Sequence, residues 1–155
     1  LTYGRQAMIY RKVLESSFDF KQVIPERYRD QFYLSRMEIL ENLPVHTDSR
    51  TKIGINFYMD PGDYETRFWK IINNDPKYVK TIENQTGHGM VFDTMAVKLA
   101  ESFVAMPGDI YLLNLTKPHN VKSFGKKTHR IVFTLHSNQF NFDEVAKMLE
   151  ETNSI

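Results

Sequence analysis

Two segments of strict period-two alternation constrain the fold of this 155-residue chain more than any other feature. Residues 52–59 (KIGINFYM) place apolar side chains at every second position, and residues 130–135 (RIVFTL) do the same. Successive side chains of a β-strand point to opposite faces, whereas an amphipathic helix repeats every 3.6 residues. Both segments therefore predict strands with one buried face.

Turn residues delimit further strands in the middle of the chain. The sequences Asp-Pro-Gly-Asp at 60–63 and Met-Pro-Gly-Asp at 106–109 predict tight turns. Between and beyond these turns we predict strands over 65–72 and 110–115, with one or two more over 91–104.

The two ends of the chain look more helical. Residues 5–15 fit either a helix or an edge strand, and residues 26–43 have loose helical spacing, with a strand at 32–34 as the alternative. Residues 142–151 predict a closing helix that starts near Asp143 and buries Val145, Met148 and Leu149. The predicted fold is mainly β with flanking helices, as a β-sandwich or jelly roll.

Composition limits the classes of protein that this chain can belong to. A single domain over residues 1–155 is expected, with 41% hydrophobic and 25% charged residues. The net charge of +1 gives no field that favours nucleic acid or an anionic membrane. No apolar run is long enough to span a membrane, and residues 1–5 lack the apolar core of a signal peptide. The expected location is cytoplasmic, and the oligomeric state is left open.

The chain contains no cysteine, so any metal site must use histidine, carboxylate or backbone oxygen ligands. His46 and Asp48 are two residues apart and would share one face of an extended segment. His119 follows the predicted strand 110–115 and is the candidate third ligand. Two histidines and one carboxylate on one face of an octahedral ion form the facial triad of non-haem Fe(II) oxygenases. The simpler interpretation makes His46 and Asp48 ordinary turn residues after Pro44.

Arg130 is the candidate anchor for a co-substrate. It begins the alternating segment 130–135, in which Ile131, Phe133 and Leu135 should pack against the helices and Arg130 should face the interior. An arginine there can hold a carboxylate through two parallel hydrogen bonds. Asn56 and Tyr58 share a face of the strand 52–59 and are candidates for hydrogen bonds to a co-substrate or substrate, with plain lining of the interior as the alternative.

These residues resemble the HxD…H…R signature of the 2-oxoglutarate- and Fe(II)-dependent oxygenase superfamily. The matching segments are HTD (46–48), PHNV (118–121) and HRIVF (129–133). Two more segments, YETRFW (64–69) and MPGDIYLLN (106–114), resemble the strands that follow the HxD motif and precede the distal histidine in the prolyl and aspartyl hydroxylase-like branch. The resemblance covers about residues 44–135.

The resemblance implies a double-stranded β-helix, a cupin-like jelly roll, with iron held by His46, Asp48 and His119 and 2-oxoglutarate anchored by Arg130. It also implies a dioxygenase that couples oxidative decarboxylation of 2-oxoglutarate to hydroxylation of an amino-acid side chain, as a small molecule or in a peptide. Because halogenases of this superfamily lack the carboxylate ligand, Asp48 indicates hydroxylation or desaturation. Prolyl hydroxylases often anchor the co-substrate with lysine, and some branches have serine where this chain has Val132.

Two other functions remain open. A cupin-like metal-dependent enzyme or isomerase would bind a metal without a 2-oxo acid, although cupins commonly use more histidines and a nearby glutamate. A non-catalytic jelly-roll binding module would carry His46, Asp48 and His119 incidentally.

Overall fold

The structure is a computed structural model that describes residues 7–12, 19–84 and 87–154. Within these residues the strands are β1 (Ala7–Lys12), β2 (Tyr33–Ile39), β3 (Leu43–Asp48), β4 (Ile53–Asp60), β5 (Tyr64–Ile71), β6 (Val79–Asn84), β7 (Gly87–Phe92), β8 (Val97–Phe103), β9 (Asp109–Asn114), β10 (His119–Ser123) and β11 (Arg130–Ser137). One α-helix, α1 (Phe142–Glu151), follows them, and short 3-10 turns lie at Phe20–Val23, Glu26–Gln31, Pro76–Tyr78 and Thr94–Ala96.

The strands form two antiparallel sheets. The first sheet has the order β1-β9-β4-β11-β2, and the second has the order β6-β7-β3-β10-β5-β8. The predicted mainly β class is thus confirmed, with a single α-helix at the C-terminal end of the described chain. No helix in the described part of the chain is long and apolar enough to cross a membrane.

The main hydrophobic core lies between the first sheet and α1. Ile53, Ile55 and Phe57 of β4 pack with Leu135 of β11, as their alternation predicts. The other buried members of this core include Ile110, Leu112, Val145, Met148 and Leu149. The alternating segments therefore bury their apolar faces against α1 and the 3-10 turn at Phe20–Val23, where Phe20 contacts Phe57 and Phe133. Their opposite faces turn towards the second sheet.

The helix α1 spans residues 142–151 as predicted, and its N-cap is Asn141, so Asp143 is not the cap. Asn141 is the N-cap: its side-chain oxygen accepts a hydrogen bond from the backbone N–H of Glu144 at 2.9 Å, and the Glu144 carboxylate accepts one from the Asn141 N–H at 2.9 Å. This reciprocal pair is a capping box. Asp143 lies in the first turn, where a negative charge favours the helix N-terminus.

The inner faces of the two sheets pack against each other. Phe68 of β5 shares a buried cluster with Leu113 of β9, and Phe103 of β8 stacks on Tyr111 of β9 with ring centroids 3.9 Å apart. Tyr58 and Val132 of the first sheet complete this region. The interior between the sheets is therefore lined by the alternate positions that do not face α1.

The N-terminal part of the fold differs from the helical interpretation of the sequence. Residues 7–12 form a strand, so the edge-strand alternative for 5–15 is correct where that segment is described; residues 5–6 and 13–15 lie outside the described residues. Residues 26–43 form a 3-10 turn, β2 and the first residue of β3, not a helix; the alternative of a strand at 32–34 is correct for Tyr33 and Leu34, which begin β2. The segment 91–104 contains the end of β7 and all of β8, separated by the turn Thr94–Ala96. The sequence did not predict β6 or β10 as strands.

Candidate metal centre

The pairing of β3 with β10 brings the three predicted ligands together. His46 and His119 are direct partners in this antiparallel ladder, so their side chains leave the sheet on the same face. Asp48 lies two residues beyond His46 and shares that face. The ligand atoms of the three side chains all lie within 4.8 Å of one another.

The distances within this group suit a single ion. The Nε2 atom of His46 lies 3.9 Å from Oδ1 of Asp48, and the Nε2 atom of His119 lies 3.4 Å from Oδ2. At metal–ligand distances of about 2.1 Å, two ligands at right angles are about 3 Å apart. A small movement of the side chains would therefore close the group around a metal ion.

Both imidazoles are held in the tautomer that leaves Nε2 available to a metal. The Nδ1–H of His46 donates to the carbonyl of Pro44 at 2.7 Å, and the Nδ1–H of His119 donates to the carbonyl of Lys117 at 2.8 Å. Because Nδ1 carries the proton, each Nε2 presents a lone pair towards Asp48. Backbone hydrogen bonds of this kind fix the orientation of histidine ligands in metalloproteins. The donor set thus fits a divalent transition metal.

Burial favours the neutral form of His46. The pKa of His46 is lowered, first by desolvation and then by the neighbouring His119, although the Pro44 carbonyl and Asp48 act in the opposite direction. The centre of the His119 ring lies 4.4 Å from that of His46 and 5.6 Å from that of Phe68. Phe68 therefore packs beside the three candidate ligands. A neutral imidazole is the form that binds metals.

We expect the metal-free protein to lose stability as the pH falls below about 6.5, the ordinary histidine value. Burial lowers the pKa of both His46 and His136, so the unfolded chain takes up protons before the folded chain does. The free energy of unfolding then decreases as the pH falls from about 6.5 through the lowered pKa values. Urea unfolding at about pH 7.5 and about pH 5.5 measures this slope. His46→Gln should reduce the slope and leave the part due to His136; an unchanged slope would contradict the prediction.

Arg130 occupies the interior between the two sheets, as its alternation predicts. Its side chain is 1% exposed although it begins β11 of the first sheet. Its Nε donates to the Pro61 carbonyl at 3.1 Å, its Nη1 to Oγ1 of Thr66 at 3.2 Å, and its Nη2 to the Tyr64 carbonyl at 3.5 Å. Arg130 therefore crosses from one sheet to the second.

The charge of Arg130 has no carboxylate partner among the described residues. Its guanidinium carbon lies 4.9 Å from the ring centre of Tyr58 and 5.5 Å from that of Tyr64, so aromatic faces supply part of the compensation. Burial lowers the pKa of Arg130. A guanidinium has five N–H donors, and these three hydrogen bonds use three of them. The two remaining N–H groups are one on Nη1 and one on Nη2. A bidentate carboxylate accepts two hydrogen bonds from arginine.

The register of β5 and β10 sets the separation between Arg130 and the histidines. Phe68 pairs with His119, and Thr66 pairs with Val121 two positions further from the ligands. Thr66 is two residues from Phe68, which is roughly 7 Å along an extended strand. Because Arg130 donates to Thr66, it contacts β5 two residues from the partner of His119. A short dicarboxylate is long enough to cover a spacing of about 7 Å along a strand.

Asn56 and Tyr58 lie on the same interior face, as predicted. The Asn56 amide donates to the Tyr58 hydroxyl at 3.2 Å, and the Thr134 hydroxyl donates to the Asn56 carbonyl oxygen at 2.9 Å. Asn56 is 7% exposed and Tyr58 is fully buried. These bonds join Asn56 and Tyr58 into one network that ends beside Arg130; their roles in binding a ligand stay a prediction.

The sequence interpretation did not identify the residues that hold Arg130. Tyr64, Thr66 and Phe68 alternate along β5, and all three are buried in the interior. These three residues are two positions apart, with the half-buried Glu65 and Arg67 between them. This alternation in the sequence could have predicted that they face the interior. The Pro61 carbonyl could not be identified, because any residue type supplies a carbonyl.

Comparison of the sequence with protein-family models gives no match, and comparison with curated proteins gives none either. The inference about function therefore depends on the geometry of the site.

Proposed function

We propose that the chain is an Fe(II)- and 2-oxoglutarate-dependent dioxygenase that hydroxylates an amino-acid side chain, free or in a peptide. One observation carries the proposal: a two-histidine, one-aspartate group shares an interior with a buried arginine that has no carboxylate partner among the described residues. A metal explains the group but leaves the arginine charge uncompensated. A ligand that chelates the metal and ends in a carboxylate accounts for both features.

In this proposal the two antiparallel sheets form a double-stranded β-helix, and the protein belongs to the oxygenase superfamily that its motifs resemble. The histidine ligands then lie on one sheet and the co-substrate anchor begins on the other. This arrangement lets a rigid scaffold set the distance between metal and anchor. A cytoplasmic location, with its supply of 2-oxo acids, is part of the same proposal.

Each residue has a distinct role in the proposed reaction. His46, Asp48 and His119 would hold Fe(II), which would supply the redox chemistry with oxygen. Arg130 binds the distal carboxylate of 2-oxoglutarate and so orients its 2-oxo acid end towards the metal. The Tyr58 hydroxyl, which accepts from Asn56, can donate its own proton to the co-substrate.

A cupin-like metal enzyme is the second candidate, and one observation favours it. Arg130 already donates to Pro61, Thr66 and Tyr64, and it packs against two tyrosine rings. These contacts support an arginine that joins the two sheets without any ligand. In that case His46, Asp48 and His119 would bind a metal without a co-substrate held by Arg130.

Anaerobic titration with Fe(II) and 2-oxoglutarate distinguishes the candidates. The dioxygenase should develop a weak visible charge-transfer band that requires both components, because only a chelated 2-oxo acid produces it. Fe(II) binding without the band supports the cupin-like enzyme. A protein that binds no Fe(II) contradicts both and leaves a non-catalytic binding module.

We expect Asp48→Gly to abolish hydroxylation while part of the Fe(II) affinity remains. The two histidines keep their backbone hydrogen bonds, so two of the three ligands stay oriented. The vacated position can accept a halide ion, as in the halogenases of the resembled superfamily. Fe(II) titration and succinate release, each with and without chloride, measure the two effects. Hydroxylation at the wild-type rate would remove Asp48 from the metal's ligands.

A further inference from the structure

The strand β2 forms an open edge of the first sheet. Among the described residues it pairs with β11 alone, in unbroken register from Ile39 opposite Arg130 to Tyr33 opposite His136. In an antiparallel sheet, alternate residues direct their N–H and C=O groups to opposite sides. Half of these backbone groups of β2 therefore point away from β11.

This edge lacks most of the usual protection against pairing. Edge strands are normally short, bulged, interrupted by proline or charged, and β2 has seven residues with no bulge and no proline. Its only charges are Arg36 and Glu38, which have opposite signs. It also exposes large apolar side chains: Tyr33 and Leu40 are each 64% exposed, Leu34 45% and Met37 37%. A regular edge strand with exposed apolar side chains is a favourable site for another strand to pair.

The charged residues and the leucines of this edge are complementary to themselves, although Ser35 would lie opposite Ile39. Residues 34–40 read LSRMEIL, with Met37 at the centre. If two copies of β2 pair antiparallel with Met37 opposite Met37, then Arg36 lies opposite Glu38 and Leu34 lies opposite Leu40. Each charge meets its opposite and each leucine meets a leucine across the axis. Opposite-charge and apolar cross-strand pairs stabilise sheets, and like charges destabilise them.

We infer that the partner of β2 is a second copy of this chain, paired through β2 about a two-fold axis at Met37. A two-fold interface is self-complementary, as this pattern requires. The pairing joins the two first sheets into one continuous sheet. It leaves His46, Asp48 and His119 unaffected, because β3 and β10 belong to the second sheet. The inference is independent of the proposed function.

Within each chain, Arg36 and Glu38 are already neighbours on one face of the strand. The Arg36 guanidinium lies 3.2 Å from the Glu38 carboxylate, and Glu38 also contacts His129. Pairing across the axis would surround each carboxylate with cations from both copies. An unrelated extended peptide at this edge would have no reason to match the alternation of both charges, so the second copy is the occupant that the sequence favours.

Sedimentation velocity over a range of protein concentrations tests the inference. We expect wild type to dimerise, and Arg36→Glu or Glu38→Arg alone to raise the dissociation constant of the dimer by roughly 10- to 100-fold, because each places two like-charge pairs across the axis. An equimolar mixture of the two single variants should form a heterodimer, since the glutamate introduced in one copy then faces the arginine introduced in the other. The double variant R36E/E38R should dimerise like wild type.

Two further variants complete the experiment. Lys98→Glu alters an exposed charge on β8, an edge strand of the second sheet, and should leave the dimer unchanged. Met37→Lys places two ammonium groups across the axis and should weaken the dimer even if a charge-reversal variant folds poorly; circular dichroism checks each fold. A wild type that stays monomeric overturns the inference and leaves the edge to a peptide. A dimer that Arg36→Glu, Glu38→Arg and Met37→Lys do not weaken overturns the inference as well. So does an equimolar mixture of the two charge-reversal variants that forms no heterodimer.

Discussion

His46→Ala should lower the Fe(II) affinity by more than roughly 100-fold and abolish turnover of 2-oxoglutarate, while the fold survives. Changes to the residues that merely orient a metal ligand already cost about 10- to 100-fold in affinity, so loss of a ligand costs more. The His46 side chain is 23% exposed and lies outside the core between the first sheet and α1, so its truncation leaves that core intact. Fe(II) titration, iron content and a thermal melt followed by circular dichroism measure the three effects.

His119→Ala should lose metal to the same extent, with a larger cost in stability. Its side chain is 8% exposed and packs beside Phe68, so truncation leaves a cavity in the interior. His136→Ala is the matched control, because His136 is also a partly buried histidine but lies outside the metal group. The control should bind Fe(II) as wild type does. Wild-type affinity in His46→Ala or His119→Ala would show that the altered histidine is not a ligand.

The sequence predicts the interior of this fold better than its edges. Residues 52–59 and 130–135 alternate because one face of each packs in the core that α1 and the 3-10 turn at Phe20–Val23 cover, and the other faces the opposite sheet. The same alternation correctly places Arg130, Asn56 and Tyr58 in the interior. The strand β2 shows no such pattern, because most of its side chains on both faces are exposed, so its ladder with β11 determines its conformation.

One part of the candidate site follows from the local sequence, and the other part depends on how distant strands pair. The spacing of two between His46 and Asp48 predicts that they share a face of a strand. That His119 lies opposite His46 depends on the register of β3 and β10, which is set by the whole sheet and by no signal within residues 119–123. The contacts of Arg130 depend in the same way on how one sheet packs over the other, so Thr66 and the Pro61 carbonyl could not be predicted.

Substitution of Arg130 should raise the KM for 2-oxoglutarate strongly and leave Fe(II) binding nearly unchanged. Arg130→Lys keeps the positive charge but loses the planar pair of donors. Arg130→Ala should raise the KM further, by roughly 10- to 100-fold, if a buried charged hydrogen bond contributes about 1.5–3 kcal/mol. Because Arg130 is buried and donates three hydrogen bonds across the interior, Arg130→Ala should also lower the free energy of unfolding.

Two variants separate loss of the anchor from loss of stability. Arg130→Met fills a similar volume without any donor, so it should raise the KM as Arg130→Ala does but with a smaller loss of stability. Arg67→Met removes a neighbouring arginine that pairs with Glu65 at 2.7 Å and points away from the interior, and its KM should equal that of wild type. Succinate formation against 2-oxoglutarate concentration, with iron content and urea unfolding for each variant, provides the measurements. If Arg130→Met has the wild-type KM, Arg130 joins the two sheets without holding a co-substrate. His46, Asp48 and His119 would then bind a metal without a 2-oxo acid, and a cupin-like enzyme would become the better description of this protein.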